Sequence, residues 1–406
     1  MGTGRSWREN LAVSALKGVN WVSRVTKRGS GTVAGGHVGL RIAPELLTVL
    51  ARDRTIIVVS GTNGKTTTTA LCVAGWGGEV ATNVTGANMP AGHVAALAGS
   101  NDQRVVLEAD EAWLAEVVRA TKPRVVVLLN LSRDQLDRAN EVRQMAERWR
   151  QCFASPQNCD VVVVANANDP LVVYAVCDAP KVLWCDVATP WSLDAQSCPR
   201  CTLPFMHSDG AWRCSCGLAK PVVLATRLGL DLSVHGEKTA LLLSLPGEFN
   251  RSNAAMAATA LVEVGVAITA SVPRMQRVTG VAGRYTLRSW NGHQLRLLLA
   301  KNPAGFDALL TTVPEGTCDV WVAINANIAD GRDPSWLYDV AFEQLVGHRV
   351  WCLGDRRLDL ATRLDYAGVS YRIADDAAQI PVGEGPVNLL ANYTAFQEWM
   401  ARSRPC

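Results

Sequence analysis

The sequence predicts an α/β protein: a doubly wound, mainly parallel sheet followed by a second, smaller α/β unit. Three observations carry that expectation. A short β-branched run at 56–59 leads into the turn Gly61-Thr62-Asn63-Gly64, and Lys65-Thr66-Thr67 then opens a helical stretch. Apolar runs at 104–107, 124–129 and 161–165 alternate with amphipathic stretches, the rhythm of strand and crossover helix. From about Ala282 strand-then-polar-turn signals start again, in LRLLLAKNPAGFDALL, DVWVAINANIADGRDPSWLYDVAFEQL, RVWCLGD and PVNLLANYTAF.

Composition bounds the rest. A chain of 406 residues, 48% hydrophobic, can bury a large core and divide into two or more domains. The net charge of +3 gives no electrostatic case for nucleic acid as a partner. The twelve cysteines, in so long a chain, read as cytosolic thiols plus one metal site. No apolar run reaches the roughly 18 residues of a membrane span.

The stretch 7–27 sets Leu11, Ala15, Val19 and Val22 at helical spacing, among Arg5, Arg8, Lys17, Arg24 and Lys27. Lys17 interrupts the apolar run and no small-residue cleavage site closes it, so a signal peptide is not expected. Packing onto the next domain is one use of such a helix; contact with an anionic membrane surface is the other.

The turn after the first strand lets successive backbone N–H groups converge, and the helix N-terminus adds partial positive charge, so a polyphosphate is its natural occupant. Lys65 would meet the β/γ-phosphates and Thr66 would hold Mg²⁺. The general phosphate loop would place its first glycine where this chain has Val59. In a doubly wound sheet ligands gather past the carboxyl ends of strands. There stand Glu108 and Asp110, then Asn130 and Asp134, then Asn166, Asn168 and Asp169. Glu108 is suited to Mg²⁺, directly or through water.

Cys198-Pro-Arg-Cys201 and Cys214-Ser-Cys216 make two close pairs, a spacing that lets two turns present four thiolates to a tetrahedral Zn²⁺. Nothing in the sequence places that metal beside the phosphates, and it reads as structural. Asn250 and Asn253 stand at the start of an alanine-rich helix, where Asn is a common N-cap. Gly283-Arg284 follows at the start of the second unit, and an Arg there can reach back to nucleotide phosphates.

The short GTNGKTT loop, the NxDDP-like Asn166–Asp169 stretch, Gly247 with Asn250 and Asn253, and Gly283-Arg284 resemble the Mur ligase and folylpolyglutamate synthetase superfamily. More specific segments are GANMPAG at 86–92, RDQLDR at 133–138, the Cys-x-x-Cys…Cys-x-Cys insert, LAKNPAGF at 299–306, ADGRDPSWLYD at 329–339 and NYTA at 392–395. Together these are similar, over nearly the whole chain, to the MurT family of lipid II isoglutaminyl synthase subunits.

The resemblance implies a Mur-ligase-type central ATPase domain at 46–281 with a zinc-ribbon insert at 186–225. An N-terminal basic helical segment at 1–45 would precede it, and a C-terminal Rossmann-like α/β domain at 282–406 would follow. It implies ATP-dependent amidation of the D-glutamate α-carboxylate of the lipid II stem peptide, on the cytoplasmic face of the membrane. Ammonia would come from a GatD-like glutaminase partner in a heterodimer, with ATP, Mg²⁺ and structural Zn²⁺ as cofactors. Gly61, Thr62, Asn63, Gly64, Lys65, Thr66 and Thr67 would hold the phosphates, Arg284 would reach them, and Asn166 and Asp169 would lie near the nucleotide. Asn253 would sit on the adenine side, and Thr66 and Glu108 would carry the metal.

Two other functions compete. A ligase of the same superfamily could join an amino acid rather than ammonia. A non-catalytic nucleotide-binding protein could use its cysteine ribbon to bind a partner, although Lys65, Thr66 and Glu108 are all intact. Asp333 carries two readings of its own. It precedes Pro334, with Leu337, Val340, Ala341 and Leu345 at helical spacing, so the residues predict a helix with Asp333 as its N-cap. The family resemblance adds that Asp333 completes the partner's Cys-His pair across the interface, with Asp339 as the fallback.

Overall fold

The computed structural model describes residues 5–25, 32–83, 87–132, 139–187, 195–208, 211–281, 283–383 and 385–406. Two helices, α1 (Trp7–Val25) and α2 (Thr32–Ile42), precede the short α3 (Leu46–Ala51) and the first strand β1 (Thr55–Ser60). There follow α4 (Lys65–Trp76), β2 (Ala81–Thr82), α5 (Pro90–Ala98), β3 (Arg104–Glu108), α6 (Leu114–Thr121), β4 (Val125–Leu128) and α7 (Ala139–Phe153). Next come β5 (Val162–Asn166), α8 (Pro170–Val176) and β6 (Val182–Asp186). The cysteine segment then leaves the sheet as the ribbon β7 (Met206–Ser208) and β8 (Ala211–Arg213). The chain rejoins the sheet at β9 (Ala225–Leu228), β10 (Asp231–Val234) and β11 (Glu237–Ala240), before α9 (Glu248–Val262) and α10 (Ile268–Met275).

The first sheet has the order β11-β10-β9-β6-β5-β4-β1-β3-β2, parallel from β9 through β2 and antiparallel at the β10 and β11 edge. Period-two alternation along β1 sends Ile56 and Val58 to one core and Ile57 and Val59 to the other. The first core takes α1, α3 and α5 to α8; the second takes α4, α9 and α10, giving three layers. The chain turns to opposite sides of β1 at β3 and β4, and this switch point opens a crevice where the loops after β1 and β4 meet.

The second sheet is built from β12 (Tyr285–Trp290), β13 (His293–Leu299), β14 (Asp319–Ala323), β15 (Arg349–Leu353), β16 (Tyr371–Ile373), β17 (Val387–Ala391) and β18 (Arg404–Pro405), in the order β16-β15-β14-β17-β13-β12-β18. Helices α11 (Pro303–Leu310) and α12 (Arg357–Tyr366) cover one face and α13 (Tyr393–Arg402) the other. Phe249 of α9 packs against this second core, and Tyr285 packs against cores of both units.

Three expectations need correction. The apolar face expected of the first helix was Leu11, Ala15, Val19 and Val22, but the residues it buries are Ala12, Val13, Leu16 and Asn20, while Leu11 and Val22 are exposed. Spacing alone fixed the period of that helix and not which of its apolar faces meets α2. The helix expected after Pro334 is two 3₁₀ turns, Ser335–Asp339 and Phe342–Leu345, broken at Val340, whose φ of −88° and ψ of 133° are extended. The break arises because Asp307 Oδ1 accepts the Ala341 N–H at 2.8 Å, taking the donor that a continuous helix would use. Asn250 and Asn253 do not cap α9. Its cap position is Gly247, at φ +90°, and both asparagines point from inside the helix.

Candidate active site

The loop after β1 needs its glycines. Gly61 and Gly64 have φ of +140° and +88°, and a Cβ on Gly64 would lie 2.6 Å from Asn253 Oδ1. Asn130, past the end of β4, grips the loop from below. Its Oδ1 accepts the Asn63 N–H at 2.9 Å, its Nδ2 donates to Asn63 O at 3.0 Å, and its carbonyl accepts the Thr62 N–H at 3.0 Å. Thr62 Oγ1 also exchanges hydrogen bonds with the Ser132 backbone. The loop is thus held by the facing strand end, with the N-terminus of α4 opening beside it.

Lys65 Nζ is drawn into this frame, 2.6 Å from Gly61 O and 2.7 Å from Glu111 Oε2. Burial disfavours the ammonium, but Glu111, then Glu108 and Asp110, outweigh burial and raise its pKa. Glu108 is buried at the end of β3, with Asn88 Nδ2 3.5 Å from its Oε1. Its backbone is held on both sides: Asn83 accepts its N–H, while Asn83 Nδ2 and His93 Nε2–H donate to its carbonyl. Trp149 Nε1–H donates to Glu111 O at 3.0 Å, fixing the neighbouring acid from the opposite side.

The second unit closes over this end of the sheet. Arg284 Nη2 lies 3.5 Å from Thr66 Oγ1, and Arg284, Lys301 and Asn302 share a cleft with Lys65, Thr66, Glu108, Asp110 and Glu111. An adjoining recess is lined by Asn63, Gly64, Thr66, Thr67, Asn166, Asp169, Asn253 and Arg284, with Leu245, Pro246, Phe249, Met256 and Leu309 as its apolar wall. Such a mixture of polar turn and apolar wall suits a nucleotide, phosphates on the loop and base against hydrocarbon. Within it Asn166 Nδ2 donates to Leu129 O, while Asp169 caps α8 through the Leu171 and Val172 N–H groups and accepts the Leu131 N–H. Asn253 stands directly under the phosphate loop at Gly64.

The structure therefore brings together Gly61 through Thr67, Glu108, Asn166, Asp169, Asn253 and Arg284. Arg133–Arg138, with Asp134, and Gly86 lie outside the described residues. Sequence reading passed over Glu111, which no spacing distinguishes from the other acids of LEADEA, and Lys301, quoted in a motif without a role. The ion pair and the interdomain cleft that single them out exist only in three dimensions.

The four cysteine Sγ atoms of Cys198, Cys201, Cys214 and Cys216 all lie within 4.8 Å of one another. Thiolates about 2.3 Å from a shared zinc would stand about 3.8 Å apart, so this donor set fits a tetrahedral ion. Left-handed Thr202 and Gly217 follow the two pairs, and within the first pair the Arg200 N–H points at the Cys198 sulfur at 3.4 Å. The Cys216 N–H draws the Cys214 thiol down to about 6, whereas burial pushes Cys198 up to about 12. Trp212 of the ribbon donates from Nε1 to Ala167 O at 3.2 Å, tying it to the loop that carries Asn166 and Asp169.

Asp333 lies apart from the cleft residues, exposed on the second unit. Its Oδ1 accepts the Ser335 N–H at 2.9 Å, which holds the carboxylate below its usual range.

Comparison with known proteins accords with this geometry. The Mur ligase middle domain model matches residues 59–187 and the MurT ligase C-terminal model matches 299–396. The chain is 29% identical to the MurT subunit of lipid II isoglutaminyl synthase (glutamine-hydrolyzing) from Staphylococcus aureus (strain COL), over 90% of each chain. Against the subunit of the same name from Streptococcus pneumoniae (strain ATCC BAA-255 / R6) identity is 27%, covering 85% of this chain and 84% of the other. Among solved structures, a pseudomurein peptide ligase type C from Methanothermus fervidus superposes with a TM-score of 0.66 at 16% identity, over 87% of this chain and 79% of that one. The MurF ligase of Thermotoga maritima in complex with ADP gives 0.62 at 14% identity, over 88% and 81% of the respective chains.

Proposed function

We propose, from the premise that this chain is a Mur-type ligase with a MurT C-terminal domain, that it amidates lipid II. The D-glutamate α-carboxylate of the stem peptide becomes D-isoglutamine on the cytoplasmic face of the membrane, with ATP as co-substrate and ammonia from a GatD-like glutaminase. The observation that carries this reading is the meeting of Arg284 with Thr66 at 3.5 Å across a cleft that also holds Lys65, Glu108 and Lys301. It is the arrangement a phosphoryl transfer to an acidic acceptor needs.

A carboxylate is a poor electrophile. One of its oxygens attacks the γ-phosphorus as the bond to ADP breaks; ammonia then adds to the acyl carbon and loses a proton, and the acyl C–O bond breaks to release phosphate. The N–H groups of 61–67 cradle the phosphates, and Lys65, exchanged from Glu111, sets a fixed positive charge against them. Arg284 meets the charge that spreads over the transferring group. Thr66 and Glu108 would hold Mg²⁺, which supplies charge neutralisation between the phosphates. Asn166, Asp169 and Asn253 line the nucleotide recess. Cys198, Cys201, Cys214 and Cys216 would hold a structural Zn²⁺, and Asp333, exposed on the second unit, would complete the partner's glutaminase site.

Mass spectrometry of lipid II after incubation with the chain, its glutaminase partner, ATP and glutamine tests the reading. The expected product carries an amino group where the acceptor had a hydroxyl. ADP release sustained by an amino acid and not by ammonium would instead establish the peptide-forming alternative.

A further inference from the structure

Helix α1 is apolar on two opposite faces. One buries Ala12, Val13 and Leu16 in the core shared with the first sheet. The other carries Trp7, Leu11, Trp21 and Val25, exposed by 78, 51, 63 and 62%. At 3.6 residues per turn these four fall within an arc of about 80° directly opposite Leu16. Ser14 and Gly18 occupy the same arc, so no long polar side chain interrupts the stripe. Isolated exposed apolar residues need no explanation; two groups on one line, each with a tryptophan and separated only by small residues, do.

Charge borders it. Lys17 lies along one edge of the stripe and Arg5 just before the helix, while Arg8, on the other side, is turned inward to donate from Nε to Ile42 O at 2.6 Å. Glu9, the one acid between Arg5 and Val25, is turned away, its carboxylate accepting the Ser6 N–H at 2.7 Å. We infer that this face of α1 is a docking surface for an anionic phospholipid bilayer. Trp7, Leu11, Trp21 and Val25 enter the boundary between headgroups and acyl chains, where the indole N–H keeps polar contact, and Arg5 and Lys17 meet lipid phosphates. A stripe confined to one helix suits a bilayer better than a protein, whose stable interfaces bury about 800 Å² a side. Among the described residues no helix is long and apolar enough to cross the membrane, so the contact is interfacial.

The docked face is also linked to the cleft. Helix α1 rests on α2, and α2 meets α5 so closely at Gly36 that a Cβ there would stand less than 2 Å from Ala91 O. His93 of α5 in turn donates to Glu108 O. Docking would therefore hold the cleft beside a lipid-linked acceptor, a consequence that rests on the proposed function, whereas docking itself does not.

Flotation of the full chain with vesicles tests the inference, using phosphatidylcholine mixed with phosphatidylglycerol and phosphatidylcholine alone. The chain is expected to float with the mixed vesicles and to be released by salt. A Trp7→Ser, Trp21→Ser double variant should bind about tenfold or more weakly. Its thermal unfolding should be unchanged, since both side chains are exposed, and Lys17→Glu should weaken binding to mixed vesicles. Wild-type protein left unbound by mixed vesicles, or variants that float undiminished, would overturn the inference. So would a dimer in sedimentation that the tryptophan substitutions dissociate, because a second copy would then cover the stripe. Neither lipid II nor ATP is present, so failure here leaves the amidation reading standing, and failed amidation leaves docking standing.

Discussion

Lys65 and Glu111 form an ion pair of 2.7 Å at the mouth of the phosphate loop, with side chains only 9 and 16% exposed. The cation that the motif offers to a polyphosphate is thus already balanced by a carboxylate, and a nucleotide must exchange one anion for another. Buried pairs of this kind are strongly destabilised when one partner alone is removed.

Glu111→Gln should therefore cost about 1–3 kcal/mol of stability without nucleotide, by stranding the Lys65 charge. The same change should enlarge the rise in melting temperature produced by an ATP analogue, because the phosphates no longer compete with a carboxylate. Calorimetry of both proteins with and without the analogue checks this; an equal rise in the two would show that Glu111 and phosphate do not share Lys65.

His93 supplies a pH dependence. Burial holds its pKa at about 4 against an ordinary 6.5, and its Nε2–H donates to Glu108 O at 2.7 Å. The folded chain keeps this imidazole neutral while the unfolded chain protonates it, so its contribution is full above pH 6.5 and is lost as pH falls toward 4. At about pH 5 the loss should be roughly 2 kcal/mol. Urea unfolding at pH 7 and 5 should show this drop in wild type and a shallower one in His93→Gln.

Cys201→Ser should lose one equivalent of zinc and loosen the ribbon, since a structural metal site couples binding to local folding. Elemental analysis of protein purified without chelators is sufficient. Wild-type protein lacking zinc would contradict the expectation.

Asp333→Asn separates two roles. The Ser335 N–H accepted by Asp333 can be accepted equally by Asn, so a purely local role predicts a nearly silent change. A carboxylate that completes the glutaminase site fixes a histidine tautomer, which Asn cannot do. Loss of glutamine-dependent amidation, with rescue by ammonium and intact nucleotide binding, is the expected outcome.

The β1–α4 turn was legible because one strand, two glycines and a Lys-Thr pair are local in sequence, and the alternation of apolar runs made the layered sheet legible in the same way. Strand ends were placed within a residue or two: the run expected at 124–129 is β4, Val125–Leu128. The cysteine pairs could be read from spacing, and their sulfur atoms do converge. What local pattern could not reveal was competition between distant groups. Asp307 breaks the helix expected after Pro334, α2 selects which face of α1 is covered, and Glu111 takes Lys65; each depends on a residue brought near only by the fold.

Trp149 is fully buried, and its indole N–H donates to the backbone of the same Glu111 whose side chain holds Lys65. The protein thereby contains its own optical probe of the phosphate loop. Exchange of Lys65 between carboxylate and phosphate should shift the indole proton resonance of Trp149 and alter its emission. In a variant retaining that tryptophan alone, stopped-flow fluorescence would resolve nucleotide arrival from the chemistry that follows, without any attached dye.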